Sequence, residues 1–304
     1  MISTRHLTGI NDLDDNDIDV IIERAEYYSY RLPAGECEEE KLRGKIILTL
    51  FFENSTRTCA SFDIAAKRLG ARVIYWDAQR SSLQKGETFI DTVRTLGAMA
   101  PDAIVIRHPE HGAPIKVRDM VECPVINAGD AAREHPTQAL LDCLTLRQHF
   151  GEINGLTISI VGDIAHSRVA NSNMILLTRL GANVRLIAPR QLMPGKFPVE
   201  NVEKYNSLEE GLTGADAVMT IRPQKERMES MLIDDREYFG SFGMNHERLN
   251  MAGREAVLLD PGPFLRNLQI SDELADDRRR FLYDKQVANG VPTRMAVLDM
   301  LIDQ

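Results

Sequence analysis

The run Lys45-Ile46-Ile47-Leu48-Thr49-Leu50-Phe51-Phe52 is apolar almost throughout. It is too short for a typical helix and does not alternate, so it reads as a strand buried on both faces, the mark of a parallel sheet covered by helices. Ser61 to Leu69 then has helical spacing, with Phe62, Ala65, Ala66 and Leu69 on one face and Gly70 as a C-terminal stop. Asn54 to Thr58 therefore falls at a strand-to-helix turn. Unpaired backbone N–H groups and the positive end of the helix dipole make such a turn an anion site. Ser55, Thr56 and Thr58 add hydroxyls, and Arg57 can grip a phosphate through two hydrogen bonds. The plainer alternative is a helix cap beside a surface arginine, and so short a motif does not separate the two.

The same alternation continues along the chain. Asn11 to Leu32 reads as a helix, Glu36 to Lys41 as a charged connection, and Ser81 to Glu87 as a polar loop. Val73–Trp76, Ala103–Ile106 and Pro124–Asn127 read as strands, Thr88–Met99 as a helix and Ala128–Glu134 as a loop. His135-Pro136-Thr137-Gln138 opens a helix to about Phe150, with Pro136 suited to the first turn. After a boundary near Gly151–Gly155 the pattern restarts with strands Leu156–Gly162, Val184–Ala188, Ala217–Ile221 and Ala256–Leu259. Helices are expected at Arg168–Leu180, Ser207–Leu212 and about Thr293–Ile302. The fold class is α/β, two doubly wound domains with mainly parallel sheets. The expected domains are 1–150 and 151–292, with a C-terminal helix over 293–304 packing back on the first. In such sheets ligands bind beyond the carboxyl ends of the strands, where the polar loops fall.

Bulk properties narrow the function. A chain of 304 residues suggests about two domains. A net charge of −9 offers no basic field for nucleic acid, so an anion must be held by a local pocket of Arg and Lys. Cys37, Cys59, Cys123 and Cys143 are scattered, without a CxxC pair, as expected of reduced thiols in a cytoplasmic protein. Met1 to Thr8 has no apolar signal core and no run approaches membrane-spanning length.

Read by strand end, the loops present Ser55-Thr56-Arg57-Thr58, then Arg107, then His135 with Gln138, then Arg168, then Arg222 with Gln224, then Pro261-Gly262-Pro263. Lys85 lies in a loop of the first half. Each cation alone reads as a surface or salt-bridging residue; their recurrence after successive strands points to a ligand with two or more anionic groups. Alone, His135 reads as an ordinary histidine at a helix start; with Gln138 one turn later on the same face it becomes a donor pair aimed at one small group. No GxxxxGK[ST], GxGxxG or GxSxG sequence is present. His108 and His111 lack further metal ligands nearby, so no metal is expected.

Six segments carry a resemblance. They are Phe52-Glu53-Asn54-Ser55-Thr56-Arg57-Thr58, Ser81-Ser82-Leu83-Gln84-Lys85-Gly86-Glu87, His135-Pro136-Thr137-Gln138-Ala139-Leu140-Leu141-Asp142, Val161 to Ala170, Arg222-Pro223-Gln224-Lys225-Glu226-Arg227 and Asn289 to Leu298. In order and over nearly the whole chain they resemble the catalytic chains of the aspartate carbamoyltransferases, within the aspartate/ornithine carbamoyltransferase superfamily. The resemblance implies a cytoplasmic enzyme of pyrimidine biosynthesis that uses carbamoyl phosphate and L-aspartate without a cofactor. It implies a homotrimer with shared active sites, the Ser82–Lys85 loop reaching a neighbour's site. Regulatory chains or a dihydroorotase stay open as partners.

By the same resemblance, Ser55, Thr56, Arg57 and Thr58 hold phosphate, and Arg107 bridges phosphate and carbonyl oxygen. His135 and Thr58 polarise the carbonyl; Gln138 and the backbone around Pro261, Gly262 and Pro263 orient the carbamoyl NH2. Lys85, Arg168, Arg222 and Gln224 receive aspartate. The catalytic set is Arg57, Thr58, Arg107 and His135. Four positions depart from the family pattern. Cys59 replaces an Arg, Asp260 a His, Pro223 an aliphatic residue and Ala131 a Gly. Ornithine carbamoyltransferases share the phosphate turn but carry a His-Cys-Leu-Pro loop where this chain has Asp260-Pro261-Gly262-Pro263. An inactive scaffold subunit is disfavoured because the phosphate and carbamoyl contacts are all retained.

Overall fold

The computed structural model describes residues 2–32, 40–77, 86–224 and 234–302. The chain forms two compact units, Met1–Leu144 with Ala288–Gln304, and Thr145–Val287. The division falls inside a helix, ahead of the Gly151–Gly155 boundary expected from the sequence.

The first unit is built on strands β1 (Ile46–Phe51), β2 (Arg72–Asp77), β3 (Ala103–His108) and β4 (Val125–Asp130). They are all parallel, in the order β2-β1-β3-β4. Helices α1 (Asp15–Arg31), α2 (Thr56–Arg68), α3 (Phe89–Gly97) and α4 (Ala113–Arg118) belong here, and α5 (Pro136–Phe150) begins here. Leu48, Leu50, Val93, Ile104, Ile106, Val117 and Val125 form one buried cluster. Each such side chain contributes about 1.5–3 kcal/mol by leaving water. That cluster is the floor on which the loops at the strand ends rest.

The second unit contains β5 (Thr157–Gly162), β6 (Asn183–Ile187), β7 (Glu203–Tyr205), β8 (Ala217–Ile221) and β9 (Val257–Leu259). These too are parallel, in the order β7-β6-β5-β8-β9. Its helices are α6 (Arg168–Arg179), α7 (Leu208–Leu212), α8 (Asp235–Phe242), α9 (His246–Ala252), α10 (Asp272–Ala275) and α11 (Tyr283–Ala288). The chain then returns as α12 (Gly290–Ile302), which packs on α1 and α2 of the first unit.

Several elements differ from the sequence reading. The first helix does not begin at Asn11: a 3-10 turn over Ile10–Asp12 precedes it, and Asp14 caps α1 by accepting from the Asp17 N–H at 2.7 Å. β4 runs on to Asp130 through residues expected in a loop, because Asp130 still pairs with His108 after a shift of register between Ile106 and His108. The last helix starts at Gly290, with Pro292 in the first turn, where a missing N–H costs nothing. The helices α4, α8, α9, α10 and α11 and strand β7 are short, and none showed as a periodic run in the sequence.

Candidate active site

In the first unit the turn after β1 and the N-terminus of α2 are organised as an anion-binding end. Ser55 occupies the N-cap, yet its side chain makes no capping hydrogen bond. Its hydroxyl is therefore not spent on the helix, and the first-turn N–H groups stay open to a ligand. Arg57 is exposed and makes no ion pair with a described residue. Thr58 is buried, and its Oγ1 lies 3.4 Å from His135 Nε2. Because β1, β3 and β4 are parallel neighbours, the segments leaving them emerge at one sheet edge. Phe51 lies opposite Arg107, and the Phe52 N–H donates to the Arg107 carbonyl at 2.9 Å. Arg107 Nε in turn meets Glu53 Oε2 at 3.2 Å.

His135 immediately precedes α5 and is buried, as is Gln138. Gln138 Nε2 donates to Asp142 Oδ1 at 2.9 Å, one turn along the helix. An ionised carboxylate only accepts, so Asp142 selects which end of the Gln138 amide it holds and turns Oε1 away. Behind this pair lies Arg294 of α12, its guanidinium 5.1 Å from the centre of the Phe62 ring of α2. Burial lowers Arg294 to about 9, and the charge of Asp142 opposes the fall.

His108 lies against both Phe52 and Phe89, at 4.6 and 4.5 Å between ring centres. Burial lowers its pKa, with Glu110 and Glu53 opposing, and its Nδ1 accepts the Glu110 N–H at 2.9 Å. Cys59 lines a cavity of about 360 Å³ with Thr49, Ser55, Thr56, Asp63 and Tyr75. Burial, and then Asp63, pushes its thiol up, so this position carries no charge toward the turn. Ala131, where the resemblance expects glycine, has φ of +40°, the left-handed region that glycine occupies without penalty.

In the second unit β5, β8 and β9 are adjacent, so Asp163, Arg222 and Asp260 leave one edge together. Gly162 packs so tightly on β8 that an added Cβ would stand 1.9 Å from the Ile221 carbonyl oxygen. Asp163 is fully buried and organises two segments at once. Its Oδ2 accepts the Gln224 N–H at 2.8 Å, while Oδ1 sits 2.8 Å from His166 Nδ1. Ser167 caps α6, accepting the Ala170 N–H at 3.1 Å, which places buried Arg168 at the first helical position. Arg222 Nη1 donates to the Pro223 carbonyl at 3.1 Å, and Gln224 Nε2 to the Arg222 carbonyl at 3.0 Å. The Pro261–Pro263 turn follows β9.

Ser55, Thr56, Arg57, Thr58, Arg107, His135 and Gln138 are thus gathered in the first unit, and Arg168, Arg222, Gln224, Gly262 and Pro263 in the second. Lys85, with Ser81 and Ser82, lies outside the described residues, as do Lys225, Glu226 and Arg227. The sequence reading assigned no role to Asp142, Asp163 or His166. Their signals were spacings: Gln138 and Asp142 four apart in a helix, Asp163 and His166 three apart at a helix start. No group of three or more metal-ligating side chains occurs among the described residues, and none of their helices is long and apolar enough to cross a membrane.

Residues 5–148 match the family model described as aspartate/ornithine carbamoyltransferase, carbamoyl-P binding domain, and residues 154–301 the Asp/Orn binding domain of the same family. An aspartate carbamoyltransferase catalytic subunit of Granulibacter bethesdensis is 48% identical over 300 residues, covering 98% of this chain and 95% of the relative. The structure of aspartate transcarbamoylase from Trypanosoma cruzi in complex with carbamoyl phosphate superposes with a TM-score of 0.88 at 33% identity, covering 98% of this chain and 96% of that one. The Trypanosoma cruzi enzyme in complex with N-(phosphonacetyl)-L-aspartic acid gives 0.87 at 32% identity, over 98% and 96% of the two chains.

Proposed function

From the premise that this chain belongs to the aspartate/ornithine carbamoyltransferase family, we propose that it transfers the carbamoyl group of carbamoyl phosphate to the amine of L-aspartate. The products are N-carbamoyl-L-aspartate and phosphate. The observation that carries this reading is that each unit has one strand edge equipped for an anionic ligand. One offers a helix N-terminus with Ser55, Thr56, Arg57 and Thr58 for a phosphate. The other offers Arg168, Arg222 and Gln224 for an amino acid with a second carboxylate.

In this reading the first unit binds carbamoyl phosphate. Arg57 and the α2 amides take the phosphate, Arg107 bridges phosphate and carbonyl oxygen, and Thr58 with His135, 3.4 Å apart, polarise the carbonyl. Gln138, turned by Asp142, offers Oε1 to the carbamoyl NH2. The second unit binds aspartate through Arg168, Arg222 and Gln224, with Gly262 and Pro263 meeting the carbamoyl group. No side chain acts as nucleophile. The amine attacks directly, charge gathers on the carbonyl oxygen and then on the departing phosphate, and the fixed donors stabilise both. Colorimetric detection of carbamoyl aspartate, with ornithine as the competing acceptor, tests the assignment. Product from ornithine and none from aspartate would overturn it.

Pyrimidine biosynthesis is the place for this product, and the cytoplasm the place for the enzyme. The assembly we propose is a homotrimer with shared sites, each completed by Lys85 of a neighbour. Hybrids reassembled from Lys85→Ala and His135→Ala chains should recover part of the activity that each parent lacks. Hybrids as inactive as both parents would rule out sharing.

A further inference from the structure

Asp260 departs from the histidine that the family resemblance leads one to expect, and its surroundings show what the carboxylate does. It is 2% exposed. Its Oδ1 accepts the Gly262 N–H at 2.7 Å. Its Oδ2 accepts the Thr220 hydroxyl at 2.7 Å and the Gln269 amide NH2. Its own N–H donates to Gln286 Oε1 at 2.9 Å. Gln269 is itself fixed, since its Oε1 accepts the Leu265 N–H at 3.3 Å. Gly262 has φ of +66°, a conformation glycine adopts freely.

The consequence lies in the peptide joining Pro261 to Gly262. This bond is trans, and in a trans peptide N–H and C=O point in opposite directions. Anchoring the Gly262 N–H on Asp260 therefore turns the Pro261 carbonyl oxygen to the other side of the turn. A carbonyl held this way is a preorganised acceptor. The carbamoyl NH2 is a donor, whereas a methyl group of the same size is not.

We propose that Asp260 is a positioning residue for substrate selection: by holding the Gly262 N–H it presents the Pro261 carbonyl to the carbamoyl NH2, so that the site prefers a carbamoyl over an acyl phosphate. This rests on the functional reading above, in which the turn meets the carbamoyl group. The chemistry demands a carboxylate. Gly262 N–H and Gln269 NH2 both donate, to opposite ends of one small side chain. An asparagine has one accepting end, so it loses one of the two bonds whichever way its amide turns. A flip of Gln269 would only leave the Leu265 N–H unpaired.

The test is calorimetric titration of the full chain with carbamoyl phosphate and with acetyl phosphate, in which a methyl replaces NH2. The wild type should favour carbamoyl phosphate. Asp260→Asn keeps the shape, but its one oxygen turns to the side where Thr220 and Gln269 both donate, so the Gly262 N–H loses its acceptor and the preference should narrow about tenfold, the scale of one hydrogen bond, leaving acetyl phosphate affinity nearly unchanged. Adding Gln269→Glu to Asp260→Asn reverses donor and acceptor between the two side chains and should restore the preference. If Asp260→Asn does not fold, Thr220→Val removes one of its donors and should narrow the preference about twofold. An unchanged ratio in folded variants, or an equal loss of both ligands, overturns the role of Asp260. A wild type that binds carbamoyl phosphate no better than acetyl phosphate overturns instead the reading of the turn itself.

Discussion

The two strand edges solve opposite problems. At the first, the donors are presented outward: Arg57 is exposed, and the Ser55 hydroxyl is not used to cap α2. At the second, buried carboxylates come first and the binding groups are arranged around them. Asp163 holds the Gln224 backbone and His166, and Asp260 holds Gly262. A helix N-terminus is ordered by its own backbone bonds and needs little support to hold an anion. Loops that must aim single groups at an amino acid and a carbamoyl NH2 have no such ladder. Buried acceptors supply the order instead, because breaking their hydrogen bonds would leave polar groups unpaired at about 1–3 kcal/mol each.

The largest expected effect lies at the first edge. Arg57→Ala should cost about 3 kcal/mol or more in kcat/KM, with turnover falling, because phosphate gains charge as it leaves. Steady-state kinetics decide: a raised KM for carbamoyl phosphate at unchanged kcat would make Arg57 a binding group only. At the second edge, Asp163→Ala should cost about 2 kcal/mol, seen chiefly as a raised KM for aspartate with carbamoyl phosphate binding preserved. Equal damage to both substrates would erase the contrast between the edges. Asp142→Asn sharpens it from the other side. The asparagine amide can donate to Gln138 Oε1 and reverse its orientation, so affinity for carbamoyl phosphate should drop by about 1 kcal/mol in calorimetry while aspartate KM holds.

The smallest effect concerns His108. Its pKa in the folded protein lies below the usual histidine value, so the unfolded chain binds the proton more readily. Stability is therefore full above about pH 6.5 and is lost as pH falls through the window below it. Urea unfolding at pH 7.5 and pH 5.5 should show the loss, and His108→Gln should flatten it. An unchanged slope in that variant would assign the acid sensitivity elsewhere.

How far the sequence could be read depends on how local the determining forces are. Ile47 to Phe51, Ile158 to Val161 and Ala217 to Ile221 announce their strands because burial on both faces leaves a run that is apolar but for one hydroxyl residue in each. The turn at Ser55 to Thr58 is legible because strand end, polar turn and helix start lie within a few residues. Short helices such as α9 and α10 carry too few periodic positions to register before packing selects them.

The sequence by itself determined the class of fold, the strand ends that carry polar groups, and the family. Residue type and spacing act locally, and the family motifs preserve them. Only the tertiary structure decided that Arg294 lies over Phe62 from the far end of the chain, that Asp163 binds Gln224 across 61 positions, and that Asp260 collects donors from Thr220, Gly262 and Gln269. Those contacts depend on strand order and on which edges become neighbours, and a buried carboxylate finds its donors only after the sheet has assembled.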